Sequence, residues 1–76
     1  MKRKDPGMAE RTAEELYKLG GSNREIARRI GCSHTLITEW TAGRYAPSGY
    51  HLKSMAEAGL DVMYILTGRR TRNDKA

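Results

Sequence analysis

The sequence has little of what a disulfide or a metal site requires. Its 76 residues include one cysteine, Cys32, and two histidines, His34 and His51, with no CxxC or HxxxH spacing among them. A single cysteine excludes an intrachain disulfide, and no metal-ligand pattern is present. We therefore expect no metal and no cofactor, and a fold stabilised by packing alone.

Long apolar runs are also missing. The longest, Val62 to Leu66, is far shorter than the roughly 18 residues of a membrane-spanning helix. The basic N-terminus is not followed by the apolar stretch of a secretory signal. These absences predict a cytoplasmic protein that does not act at a membrane, and no small-molecule ligand is evident.

Patterns typical of enzymes are absent too. Ser33 and His34 are adjacent in the chain, and the sequence has neither a carboxylate pair at a plausible spacing nor a glycine-rich phosphate loop. A chain of this length also has little room for a catalytic cleft. We predict that the protein is not an enzyme.

Positive charge is what the chain has in excess. Fourteen lysines and arginines against nine aspartates and glutamates give a formal net charge of +5. Residues 1–5 carry +2 of this and residues 69–76 carry +3, which leaves residues 6–68 with seven basic and seven acidic side chains. Such a chain suits a polyanion such as nucleic acid, with a membrane surface as the other candidate. We predict a flexible basic arm at 1–7, a folded domain at 8–68 and a flexible basic tail at 69–76.

Five glycines each follow a stretch with helical apolar periodicity: Gly20, Gly31, Gly43, Gly59 and Gly68. Glycine readily adopts the left-handed conformation that ends a helix, so this pattern predicts five helices and an all-α fold. The helices are expected at about residues 8–19, 23–30, 33–42, 50–58 and 61–67. The first should bury Leu16 and Tyr17 and leave Glu14 and Glu15 on its other faces.

The second and third predicted helices have strong start signals. Ser22 and Glu25 have the spacing of a capping box, in which each side chain accepts a hydrogen bond from the other residue's backbone amide. Ser33 can cap the third helix, and Asp61 can cap the fifth. These signals predict a short, well-defined helix on each side of the turn at Gly31.

The segment 23–40 has the spacing of a helix-turn-helix. Ala27 is small enough to let two helices approach closely, and Gly31 turns the chain where a side chain would clash. Ile37 and Trp40 lie on the face of the second helix that packs against the first.

A wider set of residues resembles the helix-turn-helix domain of bacteriophage repressors of the lambda-repressor and Cro type, also called XRE-like, over about residues 8–68. The set comprises Ile26, Ala27, Ile30, Gly31, Ile37 and Trp40, then Leu52, Met55 and Ala56, and the closing Tyr64-Ile65-Leu66-Thr67-Gly68. The resemblance implies a compact five-helix lambda-repressor-like domain with its helix-turn-helix at helices 2 and 3. It also implies sequence-specific binding to double-stranded DNA, usually as a dimer on a near-palindromic operator.

The polar face of the third helix is the candidate for contacts to DNA bases. Helical geometry directs this face away from the core, and its residues are Ser33, His34, Thr35, Thr38 and Glu39. The positions matching His34 and Thr35 often hold glutamines in the resembling family. Because this helix has no Arg, Lys, Asn or Gln, we expect DNA shape, water or Arg44 to supply part of the specificity.

Contacts to DNA phosphates have other candidates. Asn23 and Arg24 lie at the start of the second helix, where backbone amides and the helix dipole favour anions. Arg44, Tyr45 and Ser48 lie in the loop after the third helix, which in the resembling family follows the DNA backbone.

The fifth helix is apolar on too many faces for one core to bury. Val62, Met63 and Leu66 are the residues that we expect to form a symmetric homodimer interface. The alternative is that the C-terminal tail or a long first helix partly shields this surface.

The resemblance implies a transcriptional regulator, and specifically a phage or prophage type repressor that occludes a promoter. The alternative is an antitoxin-like or accessory module that uses the same fold mainly to bind a protein partner, because one fold serves both functions. The choice between repressor and activator stays open. The sequence also leaves open whether the chain is complete, as in Cro-like forms, or the N-terminal part of a longer repressor.

Overall fold

The computed structural model describes residues 6–70, and all regular secondary structure in this part of the chain is helical. In chain order the helices are α1 (Pro6–Leu19), α2 (Asn23–Ile30), α3 (His34–Thr41), α4 (Gly49–Glu57) and α5 (Val62–Thr67). The predicted all-α fold with five helices is therefore confirmed.

The first helix begins earlier than predicted. Pro6 and Gly7, assigned from the sequence to a flexible arm, form the start of α1. Proline suits the first turn of a helix because its ring fixes φ near the helical value and its missing N–H would have no partner there. Residues 1–5 of the predicted arm lie outside the described residues.

The predicted N-terminal caps are confirmed. The Ser22 hydroxyl accepts from the Glu25 N–H at 3.1 Å, and the Glu25 carboxylate accepts from the Ser22 N–H at 2.9 Å, which completes the capping box. Ser33 and Asp61 accept from backbone amides of α3 and α5 at 3.3 Å and 3.0 Å. Each cap contributes about 1 kcal/mol by satisfying amides that the helix itself leaves unpaired.

The predicted glycine stops are confirmed as well, since all five adopt positive φ. Gly31 is the one that matters most for function, because it connects α2 to α3. Its φ is 87°, and its N–H and that of Cys32 both donate to the Ala27 carbonyl, at 2.7 Å and 3.0 Å. A residue with a Cβ would be strained at this position.

The core lies where α1, α2, α3 and α5 meet, with α4 closing one side. Its buried side chains are Leu16, Ile26, Ala27, Ile30, Ile37, Trp40, Met55, Leu60 and Ile65. Trp40 is the largest of those that are almost completely buried. α1 packs on both α3 and α5, which holds the helix-turn-helix against the rest of the domain. No helix in residues 6–70 is long and apolar enough to cross a membrane.

Arg70, which the sequence assigns to the basic tail from residue 69, contacts the folded domain. Its guanidinium lies 2.6 Å from the Glu15 carboxylate, 3.4 Å from Glu14 and 3.5 Å from Asp61. It also stacks 3.7 Å above the centre of the Tyr64 ring. The three carboxylates neutralise the arginine, and the hydrogen bond to Glu15 is the largest contribution raising the pKa of Arg70. Residues 71–76 of the predicted tail lie outside the described residues.

Candidate nucleic-acid interface

The two helices of the predicted motif pack closely across the turn. Ala27 of α2 is buried, as are Ile37 and Trp40 of α3. Since these residues occupy the facing sides of α2 and α3, the opposite side of α3 is left at the surface. The close packing predicted from Ala27, Ile37 and Trp40 is thus present. The clash predicted for a side chain at Gly31 is not, because a Cβ there would meet no atom within 4 Å, and the positive φ is what favours glycine.

The residues predicted to contact bases share this exposed side of α3. Ser33, His34, Thr35 and Thr38 are exposed, and Glu39 is partly buried at the edge. Their side chains offer hydroxyls, an imidazole, methyl groups and one carboxylate. This is a short polar strip on a helix, with the size and chemistry suited to a DNA groove.

A hydrogen-bond relay joins this strip to α2. The Asn23 side-chain amide donates to the Thr38 hydroxyl at 3.2 Å, and that hydroxyl donates to the His34 carbonyl at 3.1 Å. Asn23 is the first residue of α2, so the relay places the start of α2 beside the middle of α3. Nothing in the sequence pointed to this contact between residues fifteen positions apart.

Glu39 and Arg44 form an ion pair at the C-terminal end of the strip. The Arg44 Nε atom lies 3.0 Å from a Glu39 carboxylate oxygen, and the Arg44 side chain remains 65% exposed. The Arg44 N–H also donates to the Glu39 carbonyl at 3.2 Å. The arginine therefore offsets the only acidic charge of α3.

The loop from Arg44 to Ser48 is attached to the domain at its far end. Ser48 is the N-cap of α4, and its hydroxyl shares a hydrogen bond with the His51 imidazole at 3.1 Å. The His51 ring packs edge-on against Trp40, with ring centres 5.1 Å apart. Tyr45 and Ser48 stay exposed on this loop. His51 was not among the predicted site residues, and its aromatic contact with Trp40 required the tertiary structure.

α2 adds three exposed arginines: Arg24, Arg28 and Arg29. Among residues 6–70, no carboxylate lies within the 4.0 Å of an ion pair from any of the three. Arg24 is adjacent to Asn23 at the helix start. Their charges are therefore not neutralised by the described part of the domain.

Cys32 lies in the turn between α2 and α3 and is partly buried. Burial raises the pKa of its thiol, which disfavours the reactive thiolate. The described residues contain no group of three or more His, Cys, Asp or Glu side chains positioned to hold a metal ion.

α5 keeps only part of its apolar surface in the core. Ile65 is fully buried, and Val62 is partly buried and packs against the core. Met63 and Leu66 are 48% and 43% exposed. Of the three residues predicted for a dimer interface, Met63 and Leu66 therefore present the larger free apolar surface.

A capped helix, a glycine turn and a second helix with an exposed polar face define a helix-turn-helix DNA-binding domain. A family model described as helix-turn-helix matches residues 13–59, from within α1 to just beyond α4. The chain belongs to this XRE-type family. It is a sequence-specific DNA-binding transcription regulator. Comparison with curated proteins and with solved structures gave no significant match.

Proposed function

We propose that the protein is a phage or prophage type repressor, which binds a near-palindromic operator as a dimer and thereby occludes a promoter. One observation carries the proposal. The polar strip of α3 contacts the start of α2 through Asn23 and the 44–48 loop through Arg44. The groups that we propose for base contacts and for phosphate contacts are thus next to each other, which supports docking of α3 in the major groove.

In this proposal α3 enters the major groove. Ser33, His34, Thr35 and Thr38 face the base edges, with Glu39 at the border of the contact. The imidazole of His34 can donate to purine acceptors, and the threonine methyl groups can contact thymine. The absence of arginine and glutamine from this helix makes contributions from DNA shape and bridging water important.

The flanking groups bind the DNA backbone in the same proposal. Asn23 and Arg24 contact one phosphate region through side chains and through the first amides of α2. Arg44, Tyr45 and Ser48 contact the backbone on the other side of α3. Arg44 contributes charge, whereas the tyrosine and serine hydroxyls contribute hydrogen bonds that fix the position of the domain.

The decisive experiment is selection of bound duplexes from a random pool. We expect a selected site with two inverted half-sites whose centres are separated by about one helical turn, or by multiples of one turn. The same experiment reports DNA binding, the operator sequence and the half-site spacing. Failure to enrich any sequence would contradict the proposal.

Replacing two of the proposed base readers tests the role of α3. His34→Ala combined with Thr35→Ala should reduce discrimination between the selected site and mismatched sites by roughly 1–3 kcal/mol for each lost base contact. Both residues are exposed, so we expect unchanged thermal stability. Binding curves on matched and mismatched duplexes measure the effect.

The control is the pair Lys53→Ala and Glu57→Ala, which removes an exposed ion pair of α4 and also leaves the formal charge unchanged. If the α3 variant keeps the wild-type sequence profile, the base-reading role is wrong. That result would favour the alternative of a module whose main function is to bind a protein partner.

The dimer is a separate prediction. Val62, Met63 and Leu66 form the proposed interface, with Met63 and Leu66 as its exposed apolar centre. Met63→Glu with Leu66→Glu should convert a dimer to a monomer in analytical ultracentrifugation, because burying two carboxylates at a symmetric interface is unfavourable. Tyr17→Glu is the matched control, since Tyr17 is a more exposed aromatic residue on α1. A wild-type monomer at high micromolar concentration, with intact two-half-site binding, would refute the interface.

A further inference from the structure

We propose that Thr38 recognises thymine through its methyl group, and that Asn23 is the positioning residue that makes this possible. The inference rests on the proposed function, in which α3 lies in the major groove. It assigns a specific base to one position of each half-site and a specific chemical group on that base.

The hydrogen-bonding capacity of the Thr38 hydroxyl is largely used within the domain. A threonine hydroxyl has one proton and two lone pairs. Its proton is donated to the His34 carbonyl at 3.1 Å, and one lone pair accepts from the Asn23 amide at 3.2 Å. Because no proton remains, Thr38 cannot donate to the purine N7, guanine O6 or thymine O4 acceptors of the major groove.

The methyl group is the part of the side chain that these bonds leave unused, while the hydroxyl keeps one lone pair that can accept only from an adenine or cytosine amino group. Thr38 is exposed, yet its oxygen is turned toward Asn23 and toward the backbone of its own helix. With its proton and one lone pair used in these two bonds, the side chain offers its Cγ2 methyl as the apolar group for a contact with DNA. Thymine is the one DNA base with a methyl group in the major groove, and apolar contact with that methyl distinguishes it from cytosine.

Asn23 selects this orientation from another helix. Threonine in a helix divides between two side-chain rotamers, and the amide of Asn23 favours the one in which the oxygen faces α2. Its second N–H is left for a phosphate, which is the contact predicted for Asn23. The same residue then couples docking on the backbone to the presentation of the Thr38 methyl.

Uracil substitution in the selected duplex tests the inference, because deoxyuridine lacks only the 5-methyl group of thymine. Each thymine of the half-site is replaced in turn, and the Kd of the full chain is measured. One position should weaken binding about fourfold for each half-site changed, the value expected for one buried methyl.

Two near-isosteric variants identify the group that reads this position. Thr38→Val keeps a methyl and removes the hydroxyl, so it should retain the preference for thymine over uracil. Thr38→Ser keeps the hydroxyl and removes the methyl, so it should lose the preference. Thr67→Ser is the control, because Thr67 lies on α5 outside the proposed DNA contacts and its hydroxyl also donates to the carbonyl four residues earlier, at 2.7 Å. It should leave the preference unchanged. If Thr38→Val loses the preference for thymine over uracil and Thr38→Ser keeps it, the inference is wrong.

The role of Asn23 is tested in two backgrounds. Asn23→Ala should lower the thymine preference in the wild-type chain and should not lower it in Thr38→Val, which has no hydroxyl to orient. Loss of a phosphate contact would weaken binding similarly in both. Equal thymine preference with and without Asn23 would contradict the positioning role.

The outcomes separate this inference from the proposed function. If no duplex is enriched, the proposed function fails. If a specific duplex is enriched but uracil is tolerated at every position, or the site has no thymine, only the thymine-reading role of Thr38 is wrong.

Discussion

Glu39 has a cationic partner, Arg44, that was not predicted from the sequence. From the sequence, α3 carries a lone acidic charge toward DNA phosphates, which would repel them. In the structure, Arg44 lies 3.0 Å from that carboxylate. Exposed ion pairs contribute little to the stability of a fold, typically less than about 1 kcal/mol. The main effect of this pair is therefore on the charge at the end of α3. The pair offsets the negative charge of α3 and holds a guanidinium beside the strip.

Arg44→Ala should therefore weaken binding to all sequences by a similar factor. It should also lower the slope of log K against log salt concentration by about 1, as expected for loss of one phosphate contact. Titrations of selected and unrelated duplexes at several salt concentrations measure both quantities. Lys53→Ala removes the same charge from α4 and serves as the control. A loss confined to particular sequences would show that Arg44 reads a base instead.

Among the single helices, α1 differs most from the burial that its apolar periodicity predicts. Tyr17 was expected to be buried and is 72% exposed, whereas Thr12 and Glu15 are buried. Thr12 satisfies its hydroxyl on the Met8 carbonyl at 2.8 Å. Glu15 accepts from the Asp61 N–H at 3.0 Å and from Arg70. Buried polar groups require such partners, and these two hydrogen-bond partners of Glu15 are more than forty residues away in the chain.

Arg70→Ala should lower the thermal unfolding temperature, because the buried Glu15 carboxylate would lose its strongest cationic partner. The expected decrease is several degrees for a domain of this size. Arg69→Ala is the matched control, since the described residues give no ion pair for Arg69. Circular dichroism melts of both variants measure the difference. Equal melting temperatures would show that the Arg70 cluster contributes nothing to stability.

For the whole molecule, the formal charge is divided between the folded domain and the termini differently from the division predicted from the sequence. Arg69 and Arg70 belong to the described domain, so residues 6–70 carry a formal charge of +2 instead of zero. Arg70 is paired with carboxylates, whereas Arg24, Arg28 and Arg29 are not paired within this range. The folded domain thus has its own cationic surface in addition to the basic termini.

Removing residues 1–5 and 71–76 should lower non-specific affinity and salt dependence more than operator preference. The deleted segments carry formal charges of +2 and +1 and none of the proposed base readers. Truncation must leave Arg70 in place, since earlier truncation would also disturb the Glu15 cluster. Binding to operator and to random duplexes at several salt concentrations measures the effect. Equal losses on both would contradict this division of roles.

Features that depend on neighbours along the chain could be predicted without a structure. The helices, the Ser22 cap, the Gly31 turn and the exposed polar face of α3 follow from local backbone preferences and from a period of 3.6 residues. These were enough to predict the helix-turn-helix, which membership of the family confirms.

Contacts between side chains of different helices depend on the tertiary packing and could not be predicted. The bond from Asn23 to Thr38, the contact of His51 with Trp40 and the docking of Arg70 join residues that no local rule relates. Such contacts depend on the relative placement of packed helices, which the periodicity of each helix does not specify. They determine which atoms of the predicted site remain available for DNA.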